Sequence, residues 1–166
     1  MIQGKFDIGK ENISLLDIYN LAKRDTQIFL SKKSISRIND SREYLENKVK
    51  KSNQLIYGVN TGFGSLCNQE IDVKNIEKLQ ENLVNSHHCG TGNAVPQFMV
   101  KLMLLIKIRS LSLGYSGIRR IVIERLMLYY NKKVFPVIRE QGSLGASGDL
   151  APLAALSQII IKDYYN

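Results

Sequence analysis

Between Val95 and Leu113 the chain is apolar at nearly every turn, with Phe98, Met99, Leu102, Met103, Leu105, Ile106 and Leu113 spread around the helical circumference. A helix that is hydrophobic all round has no face to give to water, so it predicts a core helix that other segments must surround. Gln97, Lys101, Lys107 and Arg109 put too many polar groups into the stretch for a membrane span. Pro96 is expected in the first turn of this helix, where a missing N–H costs nothing, and Gly114 at its C-terminal end.

The rest of the sequence supplies helices to surround it. There are three prolines in 166 residues, Pro96, Pro136 and Pro152, and helical periodicity dominates, which predicts an all-α fold. Ser14 and Asp17 form a variant capping box opening a first helix through Ala22, and Thr26–Leu30 reads as a short extended piece. From Ser34 to Val49, Ile35, Ile38, Leu45 and Val49 fall on one stripe of an amphipathic helix. Asp72 is expected to cap a third, with Ile76, Leu79 and Leu83 inward. Ser116 is expected to start a fifth, with Ile118, Ile121, Val122, Arg125 and Leu128 on successive turns. Asp149 is the expected cap of a sixth, carrying Pro152 in its first turn and running through Leu153, Leu156 and Ile160. No internal repeat or flexible linker divides the chain, so residues 1–166 read as one unit.

Composition narrows the partners. A chain of this length buries roughly 70% of the surface its unfolded form exposes, so it folds without disulfides or metal. Two cysteines cannot make a disulfide framework and point to a reducing, cytoplasmic setting. The opening MIQGKFDIGKENIS has neither an apolar h-region nor a small-residue cleavage site, so no secretory signal is expected. The net charge of +8 is scattered in pairs such as Lys32-Lys33 and Arg119-Arg120, with no run of five like charges. That pattern predicts a solvated surface rather than a face for nucleic acid or membrane.

Three connections between the helices are long and chemically loaded: Gln54–Asn68, Asn85–Val95 and Val134–Gly148. The first contains YGVNTGFG, from Tyr57 to Gly64. Its G-x-x-x-G-x-G spacing, with no Lys-Ser/Thr after it, does not match a phosphate-binding loop. The second contains SHHCGTGN, from Ser86 to Asn93. His87, His88 and Cys89 with Cys67 raise zinc, but ligands at three adjacent positions rarely converge on one tetrahedral ion, so a polar pocket wall is expected and no metal. The third is GSLGASGD, from Gly142 to Asp149. A glycine-rich helix start would explain it, and so would a nucleophilic Ser147, although the residues do not fit a G-x-S-x-G elbow. Ala146-Ser147-Gly148 offers a third chemistry. The amide nitrogen of Gly148 attacks the Ala146 carbonyl carbon, and loss of two waters, one from the Ser147 side chain, leaves a five-membered ring with an exocyclic methylene. Glycine is expected at the attacking position because a Cβ would obstruct the turn.

YGVNTGFG, NLVNSHHCGTG and GSLGASGDLAPLA, in that order and at these separations, closely resemble the histidine and aromatic amino-acid ammonia-lyase family. The resemblance covers essentially the whole chain and implies the N-terminal part of that mainly helical fold, with long loops carrying the site. It implies a methylidene-imidazolone electrophile formed from Ala146, Ser147 and Gly148, and Tyr57 as catalytic acid/base near the substrate β-carbon. Ser86 and His87 match the pair that histidine-specific members place against the substrate imidazole, and Gly145 also looks like that branch; Asn60 is expected to line the pocket. His88 stands where a small residue is usual. The reaction implied is elimination of ammonia from L-histidine to give trans-urocanate, the first step of histidine degradation. An aromatic Phe/Tyr ammonia-lyase or aminomutase fragment is the alternative within the family, and a non-catalytic remnant or interaction module the alternative outside it. The family's sequences are longer, and this chain resembles roughly their first third. The arginine, the glutamate and the further tyrosines with which the family completes the pocket lie in its later part, so the partner expected is a complementing C-terminal polypeptide or, as the resemblance also implies, further subunits of a homotetramer.

Overall fold

The computed structural model describes residues 4–51, 55–61, 76–144 and 148–164. In chain order the elements are β1 (Phe6–Asp7), α1 (Leu15–Lys23), β2 (Ile28–Phe29), α2 (Lys32–Lys51), α3 (Ile76–His87), β3 (Thr91–Ala94), α4 (Gln97–Ser112), α5 (Arg120–Lys132), β4 (Arg139–Gln141) and α6 (Leu150–Tyr164). The fold is helical, as its sequence periodicity requires. Asp72, the expected cap of α3, lies outside the described residues.

Helix α1 starts where its capping box places it. Ser14 Oγ accepts from the Asp17 N–H at 3.1 Å while the Asp17 carboxylate accepts from the Ser14 N–H at 2.9 Å, satisfying two donors that a helix start leaves orphaned. Helix α2 exceeds its expected span at both ends but keeps the inner stripe, with Ile38 buried and Ile35, Leu45 and Val49 half-buried.

Helix α4 is the centre of the packing. Val100, Leu104, Leu105 and Ile108 are sealed in the core, and α1, α2 and α5 pack around them. Its charged residues tie down the chain that crosses it. Lys101 is buried and its ammonium donates to the Ala22 carbonyl and to Asp25, while the Arg109 guanidinium donates to the carbonyls of Ile8 and Glu11 at 3.2 and 2.7 Å. One expectation fails here: Phe98, Met99 and Ile106 are exposed rather than enclosed. All-round apolarity shows that a helix wants neighbours, but not on which side this chain supplies them. Pro96 is the N-cap residue, one position before the first turn, and Gly114 follows the C-cap residue Leu113 with φ +78°.

Helix α5 starts at Arg120, not Ser116, and is rotated from the expected face: Ile123, Leu126 and Tyr130 are inside while Ile121, Arg125 and Leu128 are exposed. Two apolar stripes compete in RIVIERLMLYYNK, and polar anchors decide between them. Tyr130 donates its hydroxyl proton to the Leu21 carbonyl at 3.2 Å. Asn131 pairs with both backbone groups of Ile28 at 2.9 Å, fixing β2 against α5. Strand β2 also pairs in parallel with β1.

The ribbon of β3 and β4 was not legible beforehand. It is antiparallel, with Thr91 opposite Gln141 and Ala94 opposite Arg139, and it extends through the Val95 N–H donating to the Ile138 carbonyl at 2.8 Å. Helix α6 packs on α3 and α5. Asp149 precedes it with φ +52°, whereas an N-cap residue needs extended backbone. The N–H of Ala151 is instead taken by Ser143 Oγ at 3.2 Å, from the other side of the loop.

Candidate active site

Ribbon β3–β4 brings two of the three motif segments together. Gly90, just before β3, lies against Gly142, just after β4: a Cβ on Gly142 would stand 3.0 Å from the Gly90 Cα and 3.3 Å from the Ala151 Cβ. The Cys89 thiol donates to the Gly142 carbonyl at 3.5 Å. Gly142 is therefore held between the SHHCG segment and the first turn of α6, and its φ of +139° is a conformation that side-chain-bearing residues rarely adopt.

Ser86 and His87 do not lie on a loop, as their polar composition suggested, but on the last turn of α3. Their polar atoms close that turn. His87 Nδ1–H donates to the Leu83 carbonyl at 2.7 Å, and the Ser86 hydroxyl donates to the same carbonyl at 3.0 Å, so both side-chain donors converge on one carbonyl in the last turns of the helix. With the proton on Nδ1, neutral His87 presents Nε2 as an acceptor. The end of α3 is clamped to α6 by Gln158 donating to Asn85 at 2.7 Å, which fixes the bearing of His87 relative to the helix that follows the Ala-Ser-Gly segment.

Tyr57 is exposed and opens a tight turn in which the N–H groups of Val59 and Asn60 both donate to the Ile56 carbonyl. Asn60 accepts from the Ile56 N–H through Oδ1 at 2.6 Å, so this side chain shapes the turn that carries Tyr57. Thr61, buried, accepts from the Gly58 N–H at 3.4 Å.

Ala146 and Ser147 lie outside the described residues. Gly148 has φ +80° and Asp149 +52°, so the chain turns left-handed twice as it reaches α6. Among the described residues nothing lies within 4 Å of a Cβ built on Gly148. Its positive φ is a backbone conformation that suits glycine. This residue fits the compact turn that ring closure needs, and it stands at the positive end of the α6 dipole. Among the described residues no three His, Cys, Asp or Glu side chains group to hold a metal ion; Cys67 lies outside them. The contacts of Cys89 with Gly142 and of Ser143 with Ala151 carry no sequence signal, because the partners lie far apart in sequence or eight residues away.

The sequence profile of the aromatic amino acid lyases matches residues 13–163. This chain belongs to the aromatic amino acid lyase family. Among its lyase relatives, it is 43% identical over 151 residues to a histidine ammonia-lyase of Geobacillus sp. (strain WCH70), covering 91% of this chain and 30% of that protein. It is 46% identical over 145 residues to a histidine ammonia-lyase of Legionella pneumophila (strain Lens), covering 87% and 28%. Of solved structures, tyrosine aminomutase from Streptomyces globisporus superposes with a TM-score of 0.86 at 31% identity, over 95% of this chain and 29% of that one. Histidine ammonia-lyase from Trypanosoma cruzi gives 0.77 at 30% identity, over 92% and 29%. The chain spans about 30% of the length of the curated relatives it matches.

Proposed function

We propose that this chain is the N-terminal, electrophile-forming portion of a histidine ammonia-lyase, which eliminates ammonia from L-histidine to give trans-urocanate. The observation that carries this reading is the Gly90–Gly142 contact. It joins the segment bearing Ser86 and His87 to the segment bearing Ala146, Ser147 and Gly148, so the elements proposed for substrate recognition and for the electrophile share one support. Ala146, Ser147 and Gly148 would hold the methylidene-imidazolone, which would supply an electrophilic methylene to the substrate amine and so make ammonia a better leaving group.

Each remaining residue has a physical task. His87, its Nδ1–H committed to Leu83, offers Nε2 to an N–H donor, which an imidazole ring has and a phenyl ring lacks; Ser86 supports that tautomer from the same turn. This difference favours histidine over phenylalanine, and the histidine ammonia-lyase relatives favour it over tyrosine, whose phenol is also a donor. Tyr57 removes the weakly acidic β-proton and returns it as acid, a contribution of about 10²–10⁴-fold for a well-placed group. Asn60 lines the pocket with its amide while its Oδ1 holds the Tyr57 turn. The active form is cytoplasmic and oligomeric, and the pocket residues that this sequence does not contain come from the remaining length of the family, on the same polypeptide or on a complementing one. The exposed Leu15, Leu16, Met99 and Ile106 support such an assembly.

The test gives L-histidine to the purified chain, alone and with a separately expressed polypeptide covering the rest of a histidine ammonia-lyase, and follows urocanate absorbance. Urocanate release that Ser147→Ala abolishes supports the reading. No release in either arrangement overturns it, and cinnamate or coumarate release from phenylalanine or tyrosine instead reassigns the chain to the aromatic branch.

A further inference from the structure

We infer that Ser143 is a positioning residue for the cyclisation of Ala146-Ser147-Gly148; this rests on the function proposed above. Gly142 is gripped from one side by Gly90 and from the other by Ala151, with 3.0 and 3.3 Å left to a would-be Cβ, and the Cys89 thiol holds its carbonyl. One residue on, Ser143 Oγ accepts from the Ala151 N–H at 3.2 Å. Ala151 is itself buried in the first turn of α6, so this hydrogen bond pins the outgoing strand to a rigid element at the point where the chain returns. Ser143 and Ala151, the two residues this bond joins, flank the reacting tripeptide in sequence.

Such a staple matters for this reaction more than for an ordinary loop. Ring closure forms the bond from Gly148 N to the Ala146 carbonyl carbon. That oxygen leaves as water with the hydrogens of the Gly148 and Ser147 amides, and a C=N bond remains. A second water takes the Ser147 hydroxyl and its α-hydrogen, leaving the exocyclic methylene. No oxidant or reductant is needed, and no side chain of Ser143 enters the balance. The barrier lies largely in holding two backbone atoms of neighbouring residues in contact, a cost that preorganisation removes before the reaction starts. Gly142 and Ala151 have no polar side chain with which to hold the loop shut, and the Cys89 thiol is a weak donor. Within this clamp the Ser143 hydroxyl is the side chain that caps an otherwise orphaned N–H at the start of α6.

The experiment synthesises the wild-type chain, Ser143→Ala and Ser143→Thr by cell-free translation and follows, by mass spectrometry, loss of two waters from the segment containing residues 146–148. Thermal melting and hydrogen exchange at the Ala151 amide are read on the same samples. We expect Ser143→Ala to slow water loss about tenfold, the effect of one net hydrogen bond, with faster exchange at Ala151. Threonine, which keeps the hydroxyl, should restore the rate to within about twofold. A merely structural role would change the melting temperature without that split between alanine and threonine. Equal rates for wild type and Ser143→Ala overturn this inference alone, as does threonine behaving like alanine. A wild-type chain that keeps both waters overturns the proposed function, and this inference with it.

Discussion

Alanine at Gly142 and at Gly148 separates two reasons for a glycine that look alike in the sequence. At Gly142 the backbone has φ +139° and an added Cβ meets the Gly90 Cα at 3.0 Å and the Ala151 Cβ at 3.3 Å. Backbone strain costs about 1–3 kcal/mol, and forcing a methyl against two backbone-anchored neighbours adds about 1–3 kcal/mol. At Gly148 the φ of +80° carries a left-handed penalty of about 1–2 kcal/mol, and none of the described residues lies within 4 Å of an added Cβ. A domain of this size loses about 2–4 °C per kcal/mol. Gly142→Ala should therefore melt roughly 5–20 °C below wild type and Gly148→Ala only about 2–8 °C below it. Far-UV circular dichroism melts, with urea titrations to check for a single transition, give both numbers. A Gly142→Ala chain melting within error of wild type, or Gly148→Ala proving the more damaging, would refute the clamp geometry around Gly142.

Other perturbations reach the scaffold and the pocket. Asp25→Asn leaves the buried Lys101 ammonium without its carboxylate; because Asp25 is itself 39% exposed, the loss seen in urea unfolding should be about 1–3 kcal/mol, below that of a fully buried pair. The hydrogen bonds from Lys101, then Lys133, hold the Asp25 carboxyl below its usual range. Its folded value thus lies below the unfolded one, so its stabilisation is present above about pH 3.9 and fades as pH falls towards the depressed value. Melting temperature should drop on acidification below pH ~4, and less steeply in Asp25→Asn. Burial, then the Asp25 charge, pushes the Tyr130 hydroxyl up to about 12, so ultraviolet titration should show this tyrosine ionising after exposed ones. Tyr130→Phe, which removes the bond to Leu21, should cost about 1 kcal/mol in unfolding experiments. In an assembly that turns over histidine, His87→Leu should lower kcat/KM about tenfold or more through loss of an acceptor for the imidazole N–H; an unchanged value argues against His87 facing the substrate.

The helices were legible in the sequence where local chemistry determines them. The Ser14–Asp17 box and the stripe of Ile35, Ile38, Leu45 and Val49 need no knowledge of the rest of the chain. The rotation of α5 was not, because Tyr130 and Asn131 choose the buried stripe through partners at Leu21 and Ile28. Nor was the ribbon. Thr-Gly-Asn-Ala and Arg-Glu-Gln are polar and exposed on both strands, so no alternation of hydrophobicity marks them, and only their pairing makes them strands. At the site, the motifs named the residues proposed to react, but polarity misplaced Ser86 and His87 on a loop when they finish α3. Ser143 could not be found by spacing because it caps a helix that starts after the intervening loop, eight residues from the N–H it receives.

Catalysis by this chain depends on Ala146-Ser147-Gly148 becoming an electrophile. No lysine or arginine separates Glu140 from Lys162, so trypsin should release that whole segment as one peptide. Tandem mass spectrometry of it should show a loss of two waters confined to residues 146–148, absent from Ser147→Ala. A wild-type peptide at its full mass, from a folded chain, would contradict the central claim.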